Sequence, residues 1–277
     1  MFSDDDFMDL FVVKGGNALN IIYGLTDRSS VDIDISMESD FSMSVDIVRE
    51  KLERSLQKVF EETGYVPFDV TLKQKPKKLD DKYKNFWGGY TLEFKIIDYN
   101  NYVALKDNLA KLRVNAVPIA GQNKKFKIDI SKHEYCDGKV DFNIGNYTIQ
   151  VYSLAMIVYE KLRAICQQNP KYKEIVVASQ KDRFRDFFDI YNILESKGLR
   201  EELLKAENLD VLKKIFAVKK VPLDFLKEIE KQKTLHQTGY LAVKASTSKD
   251  IKECDFYYDY VVSYAKDLLE HIDSNDC

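Results

Sequence analysis

The chain has 277 residues, 45% of them hydrophobic, with 5 prolines, 11 glycines and a formal charge of −3. This composition excludes disorder, and 42 basic against 45 acidic residues give no general attraction to nucleic acid, so any basic surface is local. No apolar run approaches the length of about 18 residues that a membrane span needs, and the acidic start lacks a signal peptide's basic region. The four cysteines lie far apart without a CxxC pair, as expected of reduced thiols in a cytoplasmic protein.

In chain order, residues 10–14 read as a short apolar strand that Gly15-Gly16 ends. Ala18, Leu19, Ile22 and Tyr23 then follow helical spacing up to a stop at Gly24. "SVDIDIS" (30–36) alternates with period 2, so it predicts a strand with Asp32 and Asp34 on one face and Val31, Ile33 and Ile35 on the other. A helix is predicted at about 43–62 from Val45, Val48, Leu52, Leu56 and Val59. Residues 66–72 and 86–97 read as a hairpin, and "KQKPKKLDDKYK" between them as an exposed loop. A helix at 101–112 and a strand at 125–131, "KFKIDIS", follow.

Beyond residue 150 the pattern is helical, at 153–168, 181–196, 200–216, 222–236 and 255–272, with Ser153 as an N-cap. The predicted fold class is α+β, in two domains of residues 1–149 and 150–277 that meet near 147–152.

Asp32 and Asp34, two apart on one strand, stand roughly 6–7 Å from each other. They repel by roughly 2–3 kcal/mol at an effective dielectric near 20. A divalent cation reverses that sign, and hard oxygen ligands suit Mg²⁺ or Mn²⁺. Taken alone, an Asp-x-Asp is more often a solvated strand face, and a Gly-Gly an ordinary turn. Here a strand, two glycines, a helix start and the two carboxylates occupy one short unit. The glycines let backbone approach a phosphate, and the strand beside them binds the cation those oxygens share. Asp129 in "KFKIDIS" adds a third carboxylate, able to share a metal or draw a proton from an attacking hydroxyl.

With these residues in place, "VKGGNAL…YGLTDRSSVDIDIS" resembles the AbiEii-type toxin nucleotidyltransferases, within the DNA polymerase β-like nucleotidyltransferase superfamily. The shared features are Lys14-Gly15-Gly16, the run Arg28-Ser29-Ser30-Val31-Asp32, and the later Asp129. The likeness continues in "VYSLAMIVYEKLRAI" and "KDRFRDFFDIYNIL", so it spans roughly residues 12–195. It implies a nucleotidyltransferase domain with a mixed sheet and a helical bundle that closes a nucleotide cleft. It also implies transfer of NMP from an NTP to an acceptor hydroxyl, on RNA such as tRNA, by the toxin of a toxin–antitoxin pair. In this scheme Asp32, Asp34 and Asp129 bind the metal, and Lys14, Gly15, Gly16, Arg28, Ser30 and Lys161 hold the nucleotide. Asp186 helps place Lys161, the nucleotide or the acceptor.

Lys161 falls on the apolar stripe of its helix, where snorkelling is the ordinary alternative. Asp186 pairs equally well with Arg183 on a surface, and Asp182 and Asp189 flank the same edge as weaker candidates. Phe187, Phe188 and Tyr191 read as core. Lys73, Lys75, Lys77, Lys78, Lys82 and Lys84 read as a solvated loop, with an RNA-tracking patch beside Tyr83, Phe86 and Trp87 as the alternative. Asn17 stands where many superfamily members carry serine. A nucleotide-sugar transferase is disfavoured because only 31 residues precede Asp32. A small-molecule nucleotidyltransferase and a silent NTP- or partner-binding protein remain as alternatives.

Overall fold

The structure, a computed structural model, describes residues 5–25, 32–119, 123–145, 147–248 and 250–275. Seven strands form one mixed sheet: β1 (Val12–Lys14), β2 (Ile33–Ser36), β3 (Tyr65–Lys75), β4 (Gly89–Asp98), β5 (Phe126–Ser131), β6 (Lys139–Ile144) and β7 (Tyr147–Tyr152). Their order is β3-β4-β5-β2-β1-β7-β6. β2 and β5 are parallel, whereas β4 is antiparallel to both β3 and β5. With its helices, the protein is an α+β fold.

Two compact units account for the chain. The first holds Met1–Val13, Val31–His133 and Asp141–Gln150; the second holds Lys14–Ser30, Glu134–Val140 and Val151–Cys277. In the first unit, strand alternation sends Ile35, Leu72, Tyr90, Leu92, Phe94, Ile128 and Ile130 into one core with Val48, Leu52 and Leu56 of helix Val45–Phe60. This helix therefore covers one face of the sheet and leaves the alternate residues of β2, β4 and β5 on the other. Asp46 in the first turn and Lys58 in the last suit the helix dipole.

The second unit is built around helix Leu154–Cys166. Ser153 caps it, accepting the Met156 N–H at 3.4 Å. Met156, Ile157, Val158, Tyr159, Leu162, Ile165 and Cys166 are all buried, on every side of the helix, as befits a core element packed by helices Phe184–Ser196 and Ala206–Ala217. The long helix Cys254–Asn275 packs on Phe184–Ser196 through stacked Phe187 and Tyr258, whose centroids are 5.1 Å apart.

Several elements depart from the sequence-based expectation. The helix after the glycine pair is a single α turn, Gly15–Asn17, running into a π-helical turn, Ala18–Ile22. The helix at 101–112 is two, Tyr99–Leu105 and Leu109–Asn115. Each has its own cap: Asp98 accepts from the Asn100 and Asn101 N–H groups, and Asn108 from that of Lys111. The stretch near 147–152 forms strand β7, and the last change from the first unit to the second falls between Gln150 and Val151. The helix at 222–236 is broken into Phe225–Glu228, Ile229–Lys231 and Lys233–Gln237. Helix Tyr240–Ser246 follows Gly239, where a Cβ would come within 1.9 Å of Asp182 Oδ1.

Candidate active site

Strand register places the carboxylates. Asp34 of β2 lies directly beside Asp129 of β5, and Asp129 is paired in turn with Thr91 of β4, which faces Lys73 of β3. One row of side chains thus crosses four strands on the face away from helix Val45–Phe60. Neighbouring strands are about 4.8 Å apart, so Asp34 and Asp129 are held close by backbone pairing alone. Asp32 precedes β2 on the same face and is exposed. Gly89 keeps this part of the sheet tight: a Cβ there would lie 2.0 Å from the Ile130 carbonyl oxygen.

Asp129 accepts from Thr91 Oγ1 at 2.8 Å, from Lys127 Nζ at 2.5 Å and from Lys75 Nζ at 3.2 Å. Burial pushes its carboxyl up, but Lys127, Thr91 and Lys75 outweigh it and hold the group below its ordinary value. Lys127 also lies 3.6 Å from Asp32 and feels the charge of Asp34. In donor type alone, as hard oxygens, Asp32, Asp34 and Asp129 suit a divalent cation. Among the described residues, however, no three His, Cys, Asp or Glu side chains close on a single point, and the Lys127 ammonium stands between Asp32 and Asp129.

The glycine pair belongs to the second unit. Gly15 has φ +73°, a left-handed backbone that an L side chain rarely adopts, and Gly16 and Asn17 behind it are buried. Lys14, just before the turn, is buried beneath the Tyr152 ring, 3.6 Å from Glu134 and 3.5 Å from Glu160. Glu134 is the hub of this cluster. It receives Arg163 at 2.7 and 3.4 Å and Lys219 at 3.4 Å. Burial opposes its ionisation, yet Arg163, Lys14 and Lys219 hold it well below the usual carboxylate range. Lys219 pays the opposite way: burial lowers it to about 8 despite Glu134, with Arg163 and Lys14 adding repulsion.

Lys161 is buried between Asp186 and Asp189, 2.8 Å from each. Burial alone would discharge it, but the two carboxylates outweigh that and hold the ammonium above its ordinary range. Asp186 also keeps Arg183 at 3.7 Å, beside its contact with Lys161. Phe187 and Phe188 are core, and Tyr191 packs edge-on against Phe256, Tyr257 and Tyr260. Three of the six loop lysines pair with nearby carboxylates: Lys73 with Glu93, Lys82 with Asp80 and Lys84 with Asp81. Phe86 is buried, and Lys77 and Lys78 are exposed. Arg28 and Ser30 lie outside the described residues.

The sequence reading missed three functional candidates and ranked a fourth, Asp189, low. Lys127 was visible as the residue two before Asp129 on an alternating strand. Asp189 was legible as i+3 from Asp186 but ranked low. Thr91 depends on hairpin register, and Glu134, in an aperiodic segment, gives no local signal.

A family model described as nucleotidyl transferase AbiEii toxin, of the type IV toxin–antitoxin system, matches residues 1–255. The chain belongs to this family. The AbiEii protein is accordingly a nucleotidyl transfer enzyme of the toxin class. No curated protein matches it. Among solved structures, JHP933 from Helicobacter pylori is 18% identical over 98% of this chain and 89% of its own, with a TM-score of 0.46. MenT4, a nucleotidyltransferase toxin from Mycobacterium tuberculosis H37Rv, is 11% identical over 94% and 75%, with a TM-score of 0.42. Among the described residues no helix is long and apolar enough to cross a membrane.

Proposed function

We propose that this AbiEii enzyme transfers NMP from an NTP to an acceptor hydroxyl in a metal-dependent reaction, with RNA, tRNA foremost, as acceptor and a cognate antitoxin as its partner. The observation that carries the reading is the register of Asp34 against Asp129, which lines up hard oxygen donors across two parallel strands. Asp32, Asp34 and Asp129 would hold Mg²⁺ or Mn²⁺, which when bound supplies charge neutralisation at the reacting phosphate. Thr91 and Lys75 fix the Asp129 carboxylate, so it does not reorganise on binding.

The left-handed turn at Gly15, followed by Gly16, gives phosphate oxygens close access to backbone. Lys14 holds that turn's approach through Glu134 and Glu160. Asp186 and Asp189 are positioning residues that hold the Lys161 ammonium in place. The exposed Lys77 and Lys78 support a polyanionic acceptor over a small neutral one.

The test is incubation with α-labelled NTPs, Mg²⁺ or Mn²⁺ and total RNA. Label enters RNA with the wild type and falls at least about a hundredfold in Asp32→Ala, the scale of losing a group that acts on the developing charge. Transfer that persists in Asp32→Ala rejects the carboxylate assignment. Labelling of a small molecule, with RNA untouched, rejects the acceptor.

A further inference from the structure

The carboxylate face already contains cations of its own. Lys127 sits two residues before Asp129 on β5, so both side chains leave the same face. Its ammonium is 2.5 Å from Asp129 Oδ2 and 3.6 Å from Asp32 Oδ2. Lys75, from the end of β3, adds a second ammonium 3.3 and 3.2 Å from the two Asp129 oxygens. Three carboxylates and two ammonium groups leave a net charge of −1 where three bare carboxylates would carry −3. The two lysines differ in place. Lys75 touches Asp129 alone and is mostly exposed, whereas Lys127 bridges two of the carboxylates from a half-buried position.

We propose that Lys127 is a resident counter-cation that occupies the carboxylate end of the sheet in the metal-free enzyme and must swing out before a divalent cation can be held there, so that metal uptake is coupled to arrival of the nucleotide. The inference rests on the reading of Asp32, Asp34 and Asp129 as metal ligands. An ammonium and a divalent cation a few ångströms apart repel strongly, even in a dielectric close to water's. Lysine, with four rotatable methylenes and a single point charge, can leave without disturbing the strand. The triphosphate of an incoming NTP gives the displaced ammonium an anionic partner. Metal alone lacks that compensation and binds weakly; metal together with nucleotide does not. Linkage then requires that the nucleotide raises metal affinity and that the metal raises nucleotide affinity by the same factor.

The experiment measures Mn²⁺ binding to the full chain without nucleotide, from the free-Mn²⁺ electron paramagnetic resonance signal. Lys127→Met and Lys127→Gln should each bind Mn²⁺ about tenfold more tightly than the wild type, the scale of losing one nearby like charge in high dielectric. Lys127→Arg, which keeps the charge, should match the wild type, and the enhancement of Mn²⁺ affinity by a non-hydrolysable NTP should shrink in the methionine and glutamine variants. Circular dichroism confirms that each variant is folded, and having two neutral variants covers the loss of one. Affinity in both neutral variants within about twofold of the wild type, including no binding by any protein, overturns the proposal. If Asp129→Asn abolishes Mn²⁺ binding while the neutral variants gain nothing, the counter-cation role fails and the carboxylate reading stands. Mn²⁺ binding indifferent to both Asp32→Asn and Asp129→Asn overturns both.

Discussion

Replacing Glu134 by glutamine removes one charge and almost no volume, which makes it a clean probe of the buried cluster in the second unit. The native carboxylate is 4% exposed and meets Arg163 at 2.7 Å, Lys219 at 3.4 Å and Lys14 at 3.6 Å. In Glu134→Gln the three cations lose this carboxylate, and Glu160, which pairs with Lys14 and Arg163, lies nearer solvent. Removing one partner from a buried ionic cluster costs about 3–5 kcal/mol. Against a total stability of about 5–15 kcal/mol that is a large fraction. At about 2–4 °C per kcal/mol for a chain of this size, the thermal midpoint should drop by roughly 6–20 °C.

Urea and thermal unfolding of wild type and variant at pH 7 measure this difference. The sign of its pH dependence is fixed. The folded pKa of Glu134 lies below its unfolded value near 4.5. Its stabilisation is therefore fully present above that value and is lost only as pH falls through the folded one. The deficit of Glu134→Gln should thus persist from pH 7 to pH 5 and close in stronger acid. A deficit under about 1 kcal/mol, the scale of an exposed ion pair, would refute the reasoning, as would one that disappears between pH 7 and pH 5.

Three further outcomes are expected. Lys219, whose folded pKa of about 8 is depressed, is destabilising while charged; that burden is full below pH 8 and eases as pH rises towards the unfolded value of 10.5, so wild type should gain stability relative to Lys219→Met between pH 7.5 and about 10, read by urea titrations across that range. Asp189→Asn leaves Lys161 with one full carboxylate partner in a dry site and should cost about 3 kcal/mol, measured by thermal unfolding, with Asp189→Glu a partial rescue. Gly89→Ala pushes β4 from β5 at the carboxylate row and should cost about 1–3 kcal/mol by chemical unfolding, together with a loss of nucleotidyl transfer larger than the unfolded fraction explains.

Local periodicity carried much of the architecture. The alternation in "KFKIDIS" and the apolar stripe of residues 45–60 are properties of short windows, and the structure realises both as Phe126–Ser131 and Val45–Phe60. The glycine pair was legible as a break, but not as the entry to a π-helical turn. β6 was missed because it is exposed almost throughout and so shows no inward face.

The candidate site divides the same way. Asp32, Asp34 and Asp129 could be picked by residue type and strand parity. Their partners could not: Thr91 reaches Asp129 through hairpin register, and Glu134 finds Arg163, Lys219 and Lys14 across separations of 29 to 120 residues. Long-range ionic clusters leave no period in a sequence.

The two units alternate along the chain in six segments, so the glycine turn folds with the helices and not with the strand it follows. This has a consequence for dissection of the protein. A cut near residue 150 yields a fragment that keeps Lys14 and Glu134 but loses Glu160, Arg163 and Lys219. Half of a buried charge cluster would then meet water in each piece. Neither piece is a module that could be borrowed, swapped or expressed alone with its chemistry intact, and complementation between separately expressed halves would have to rebuild that cluster before the Lys14-Gly15-Gly16 turn had a frame.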